Sequence, residues 1–185
     1  QARKELRASD YLVLLIDYDG TLVPLTRTPA LAAPDPEARQ LLTALCHRPE
    51  TEVHVVSGRS ADDLHRWLGD LPVGLHAEHG IYTRSPGAHD WAPCARMPHD
   101  WREPVLAILH EFTERTPGTL IEKKGACVVW HYRAAEPEFA AQQARELRLH
   151  LLELLSNQPV EVLSGRKALE VRPQGFHKGH IVEQA

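Results

Sequence analysis

Residues 14–22 read LLIDYDGTL, an apolar run that ends in two carboxylates, Asp17 and Asp19, and then a glycine, Gly20. From Tyr11 to Ile16 the pattern is continuously apolar, as in a strand covered on both faces. Asp17 and Asp19 repel each other at that spacing and each resists burial, so the arrangement calls for compensation. A bound metal ion, a reactive role, or plain solvation at a strand end would each supply it.

Working outward, Asp35-Pro36-Glu37 has the form of an N-cap, a proline at the first helical position and an acid in the first turn. It predicts a helix through Leu41, Leu42 and Leu45. Val53 to Val56 is a second strand, Ser60 with Asp63 a capping box for a short helix ending near Gly69, and Gly74 to Ala77 a third strand. Strand, helix, strand, helix, strand predicts an α/β fold with a Rossmann-like parallel sheet. Ligands in such sheets sit beyond the carboxyl ends of the strands. That topology puts Asp17, Asp19 and Ser57 at one mouth.

After about Ser85 the pattern changes. Asp100 with Glu103 predicts a capped helix to about Arg115, TLIE and ACVVWHYR around a KKG turn a hairpin, and residues 137–156 a long helix. That helix carries Leu147, Leu151, Leu154 and Leu155 on one face. VEVL and ALEV joined through SGRK predict a second hairpin, with Ser164-Gly165 as the turn. This α+β segment, 86–175, is expected to be an insert in a core made of 1–85 and 176–185.

With 43% hydrophobic residues the chain can bury a core. Its 21 basic and 25 acidic residues are mixed along the chain and leave a net charge of −4, which argues against nucleic acid or an anionic membrane as partner. Cys46, Cys94 and Cys127 fit neither a disulfide framework nor a CxxC metal site, and a reducing cytoplasm is the expected setting. The apolar run is too short to span a bilayer. None of the twelve histidines stands at HxxxH or HExxH spacing, so most are expected on surfaces or loops. His79, in HAEHG at the end of the third strand, is the exception. Trp91, Trp101 and Trp130 are read as packing between insert and core, and Cys127 as a buried thiol.

A carboxylate can attack phosphorus and split a hard hydrolysis into two steps, which suits Asp17. Asp19, set off by the Gly20 turn, suits proton transfer to the leaving oxygen and later from water. Ser57 can hold a phosphoryl oxygen, and Arg59 opens the next helix. Mg²⁺ bound to carboxylate and backbone oxygen would remove the repulsion.

DYDGTL after an apolar strand, with SGR ending the next, resembles the haloacid-dehalogenase-like phosphatase superfamily. Its lysine signature matches Lys178 in GFHKGHIV. With IEKKGACVVWHYR, SGRKALEVRP and HAEHG, the chain from about Tyr11 onward resembles the trehalose-6-phosphate phosphatases. The resemblance implies catalytic Asp17, Asp19, Ser57 and Lys178, with Mg²⁺ at Asp17 and Asp19. It implies substrate contacts at Gly20, Arg59 and His79, and cap contacts to sugar at Glu122, Lys124, Arg133, Lys167 and Glu170, with His131 and Arg172 as weaker candidates. The second SGR, Ser164 to Arg166, lies between strands and is assigned no part in the reaction.

The resemblance implies trehalose 6-phosphate as substrate and a trehalose-6-phosphate synthase domain as a fused neighbour. Another sugar phosphate, and a catalytically incomplete regulatory module, are the alternatives. The superfamily's fourth signature, an acidic metal-binding loop, has no counterpart in these residues. A core sheet incomplete at its C-terminal end, with an open edge, is therefore expected. The start at Gln1 suits a piece of a longer polypeptide.

Overall fold

The computed structural model describes residues 11–26, 31–94 and 99–182. The chain divides into two compact units, one from residues 1–95 with 176–185 and the other from residues 96–175.

The first unit contains β1 (Leu12–Asp17), α1 (Pro36–Cys46), β2 (Thr51–Val56), α2 (Ala61–Leu68), β3 (Gly74–Ala77) and a 3₁₀ turn at Glu78–Gly80. It continues with β4 (Tyr82–Arg84) and β5 (Ala92–Pro93). In the second unit lie α3 (Arg102–Arg115), β6 (Leu120–Lys123), β7 (Val128–His131), α4 (Pro137–Leu154), β8 (Val160–Gly165) and β9 (Ala168–Pro173). A final helix, α5 (Lys178–Val182), returns to the first.

Strands β1, β2 and β3 are parallel, in the order β1-β2-β3-β4-β5, and β4 and β5 add antiparallel. The sheet is thus mixed, an α/β core with two added strands the sequence pattern does not announce. Among the described residues β1 pairs with β2 alone, and all six of its residues are partly exposed. Both early helices start as their caps dictate. Asp35 accepts from the Ala38 amide at 2.8 Å, and Ser60 Oγ accepts from the Asp63 amide at 3.1 Å. Leu14 and Ile16, Val53 and Val55, and Leu75 and Ala77 share one sheet face, packed with Leu42 of α1 and Leu64, Trp67 and Leu68 of α2.

The opposite face carries polar groups inside the sheet, where His54 and His76 are exceptions to a set of histidines that is mostly exposed among the described residues. His54 Nδ1 lies 2.9 Å from His76 Nε2, and His54 Nε2 lies 2.9 Å from Glu52. Gly74 makes room for this pair, since a Cβ there would stand 2.2 Å from the His54 ring. His76 Nδ1 is buried with no hydrogen-bond partner among the described residues. The loop after α2 is pinned by two arginines. Arg39 of α1 bonds the Trp67 carbonyl and Asp70, the latter at 2.5 Å. Arg84 of β4, only 1% exposed, donates to the carbonyls of Gly69, Leu71 and Val73 at 2.9, 3.4 and 3.4 Å.

In the second unit the sheet order is β6-β7-β9-β8, all antiparallel. One face packs Val128, Trp130, Leu169, Val171, Val160 and Val162 against α3 and α4. Four expectations are corrected here. Helix α3 has Trp101 at its N-cap and no side-chain cap, so Asp100 and Glu103 form no capping box. Ser164 and Gly165 pair with Leu169 and Ala168 inside the ladder. The second hairpin therefore turns at Arg166-Lys167, with Lys167 in the left-handed region at φ 63°. On α4 Leu147, Leu151 and Leu155 are buried, but Leu154 is 40% exposed. Trp101 and Trp130 belong to this unit's own core, whereas Trp91 packs against the core of the first. Cys127 is fully buried. No helix among the described residues is long and apolar enough to cross a membrane.

Two outcomes follow. Arg84→Met leaves buried carbonyls without donors and should cost about 1–3 kcal/mol in urea unfolding. Burial, reinforced by His54, holds His76 down to about 4 from the ordinary 6.5. Between those values the unfolded chain binds a proton that the folded chain does not, so stability should fall as pH drops from 6.5 toward 4 and level off below. Melting temperatures of the protein and of His76→Gln over that range should differ in slope, the variant losing less.

Candidate functional site

Strand β1 runs out at Asp17, in register with Val56, so the loops after β1 and β2 emerge side by side. Tyr18 turns inward, fully buried, and its hydroxyl donates to the Ala32 carbonyl at 2.7 Å. Burial pushes this phenol far up from its ordinary value, so it stays neutral and works as a donor. Gly20 takes φ 86°, a conformation costly for residues with a Cβ, and its amide donates to Val23 O at 2.8 Å. The turn leaves the carboxylates of Asp17 and Asp19 on separate partners.

Lys178, the first residue of α5, pairs with Asp17 Oδ1. Thr21 Oγ1 donates to Asp17 Oδ2 at 3.4 Å. Asp19 is held by Arg59 through two bonds, Nε to Oδ2 at 3.0 Å and Nη2 to Oδ1 at 2.5 Å. Two parallel N–H bonds to a carboxylate fix orientation as well as charge. Asp17 and Lys178 remain about half open to solvent, with side chains 40% and 45% exposed.

Ser57 is 1% exposed at the end of β2. Its amide donates to His76 O, its carbonyl accepts from the His79 amide, and its Oγ accepts from the Arg59 amide at 3.1 Å. His79 sits in the 3₁₀ turn with φ 61°, and its ring lies so close to Gly58 that a Cβ there would come within 2.9 Å. Gly80 next to it touches Ile181 of α5 in the same way, which seats the helix that carries Lys178. The first unit thus brings together Asp17, Asp19, Gly20, Ser57, Arg59, His79 and Lys178.

The second unit holds the other candidates. Glu122, Val129 and Glu170 are cross-strand neighbours in one row of β6, β7 and β9. Glu122 lies 2.7 Å from His131 Nε2. Lys124 closes the first hairpin, its amide donating to Cys127 O, and the guanidinium of Arg102 donates to the carbonyls of Lys124 and Gly125. At the other end of that sheet Arg133 donates to the Arg166 carbonyl at 3.3 Å, and Lys167 Nζ lies 5.7 Å from the Tyr132 ring centroid. Arg172 pairs with Glu161 at 2.8 Å.

Thr21, Trp67 and the partner of His131 escape a reading of motifs. Thr21 falls inside DYDGTL, and the His131–Glu122 pair follows from the alternation once the hairpin register is set. Among the described residues no three His, Cys, Asp or Glu side chains converge as a metal cage. Mg²⁺ commonly keeps several waters and binds through one or two carboxylates and substrate phosphate. Asp17 and the main-chain oxygen of Asp19 are hard donors that fit so sparse a demand.

The trehalose-phosphatase family model matches residues 15–185. A bifunctional trehalose-6-phosphate synthase/phosphatase from Thermoproteus tenax is 43% identical over 167 residues, 90% of this chain and 23% of that protein. A trehalose-phosphatase from Saccharomyces cerevisiae is 38% identical over 175 residues, 93% of this chain and 20% of that protein. The chain thus spans about a fifth of the length of these curated relatives. The C-terminal domain of Candida albicans trehalose-6-phosphate phosphatase superposes with a TM-score of 0.91 at 36% identity, covering 97% of this chain and 63% of that one. With the family model matched from the first strand to the final residue, the chain belongs to the trehalose-phosphatase family.

Proposed function

We propose that the chain carries the chemistry of a phosphatase that hydrolyses trehalose 6-phosphate through a phosphoryl ester of Asp17. The observation that carries this reading is the pairing of Asp17 with Lys178, 161 residues apart, beside Ser57 and Asp19. A lysine recruited from the far end of the sequence offsets the charge of a half-exposed carboxylate and leaves it accessible to a ligand.

In the first step an Asp17 oxygen bonds to phosphorus as the bond from phosphorus to the sugar oxygen breaks, and Asp19, protonated for this step, delivers its proton to that oxygen. In the second, water attacks the ester and restores Asp17. Lys178 steadies the nucleophile and the phosphoryl charge, and Ser57 Oγ holds a phosphoryl oxygen. Mg²⁺, held by Asp17 and the Asp19 main-chain carbonyl, neutralises phosphate charge when bound.

The first unit is the catalytic core on this reading, and the second the cap that selects the sugar. A disaccharide shows many hydroxyls and little apolar surface, so its recognition needs paired donors and acceptors. Glu122, Lys124, Arg133, Lys167 and Glu170 supply both kinds, with His131 and Arg172 beside them. His79 and the Gly20 turn complete the phosphate pocket. The bifunctional relative supports a synthase segment as fused neighbour in the longer protein.

Phosphate release from trehalose 6-phosphate should need Mg²⁺, stop with EDTA and exceed that from sucrose 6-phosphate and glucose 6-phosphate. Equal rates on all three would mean that the second unit does not select the sugar. Asp17→Asn should abolish turnover, a loss of at least about 10⁴-fold for removal of a nucleophile, and appreciable residual activity would remove Asp17 from that role.

A further inference from the structure

Arg59 stands out for how completely it is fixed. Its amide donates to Ser57 Oγ and its carbonyl accepts from the Glu78 amide, so both backbone groups are tied. Its guanidinium lies 5.7 Å from the Trp67 ring centroid, and Trp67 stacks on Tyr18 with centroids 5.6 Å apart and planes 5° from parallel. Tyr18 is the residue between the two acids. The side chain of Arg59 is only 13% exposed and delivers Nε and Nη2 to Asp19. The same segment that presents Asp19 therefore builds, through Tyr18 and Trp67, the platform for the arginine that grips it.

We infer that Arg59 is a positioning residue for Asp19, holding it as a proton acceptor for hydrolysis of the Asp17 phosphoryl ester, rather than a contact to the substrate phosphate. The inference rests on the phosphatase reading of the site. Both Asp19 oxygens accept from the guanidinium, and an acceptor-only carboxylate still has a second lone pair on each oxygen for water. In the step it serves, the water oxygen bonds to phosphorus. The bond from phosphorus to Asp17 breaks with its electron pair returning to the carboxylate, and the water's proton passes to an Asp19 oxygen.

Rapid mixing of the chain with p-nitrophenyl phosphate and Mg²⁺ separates the two steps, because p-nitrophenolate departs without being protonated. Arg59→Gln should keep a p-nitrophenolate burst of about one per chain at the parent's rate, while the later steady rate falls roughly 10²-fold, the scale of a lost positioned base. Arg59→Lys keeps the charge without the fork and should recover only part of that rate. A burst that slows together with the steady rate would mean a phosphate contact and overturn the inference, as would an unchanged steady rate. If the parent chain turns over neither this ester nor trehalose 6-phosphate, the phosphatase reading of the chain fails. Crystal structures of the chain and of Arg59→Gln then decide the positioning claim separately. An Asp19 carboxylate that leaves its place in the variant supports it, and one that stays overturns it.

Discussion

Two carboxylates two residues apart at a strand end repel each other, and the first unit answers that repulsion by giving each its own cation. Asp17 takes Lys178 and Asp19 takes Arg59, from different elements, so neither acid competes for the other's partner. Lys178 is reached across 161 residues of chain. Loop-closure entropy rises only with the logarithm of length, so inserting a unit that folds around its own core adds little to the cost of that pairing. Such an insert is tolerated because the pairing is made by a short helix seated on Gly80, not by the segment between.

The support behind Arg59 reaches further into the fold. Trp67, on which it rests, lies in the last turn of α2, its own carbonyl taken up by Arg39 and those of the loop that follows by Arg84. Arg84 lies on β4, an antiparallel addition to the sheet, so that extra strand bears on the site through the loop it caps. Buried carbonyls without donors are costly, and here they are met by guanidinium groups that can serve several at once.

The parallel half of the core and its two capped helices were legible in the sequence because each signal there is local: an apolar run, a cap, a proline at the first turn. The strands β4 and β5 were not, since Tyr82–Arg84 and Ala92–Pro93 are too short to show a period and acquire strand geometry from pairing with β3. Asp100 looks like a cap yet leaves α3 uncapped, because the N-cap position falls to Trp101, whose burial in the core outweighs a polar cap. The second hairpin turns later than Ser164-Gly165 suggests, as pairing with Leu169 and Ala168 satisfies those residues inside the ladder. At the mouth, Asp17, Asp19, Ser57 and Lys178 were readable as residues. The division of the acids between Lys178 and Arg59 was not, because it depends on the register of β1 against β2 and on an aromatic stack that no motif contains.

The second unit presents the complementary case. Its strands alternate apolar and polar residues, which any half-covered sheet does, so the pattern identifies a face without assigning it work. Register adds what alternation lacks. Pairing puts Glu122 and Glu170, from hairpins far apart in sequence, in one row with Val129 between them, two strand spacings or on the order of 10 Å apart. Like charges across a sheet are unfavourable when directly opposed, and the intervening apolar residue with His131 beside Glu122 relieves that repulsion while keeping both acids on the same face. The pairing thereby holds two acceptors at a fixed interval on one face, a spacing that alternation within either hairpin alone does not set.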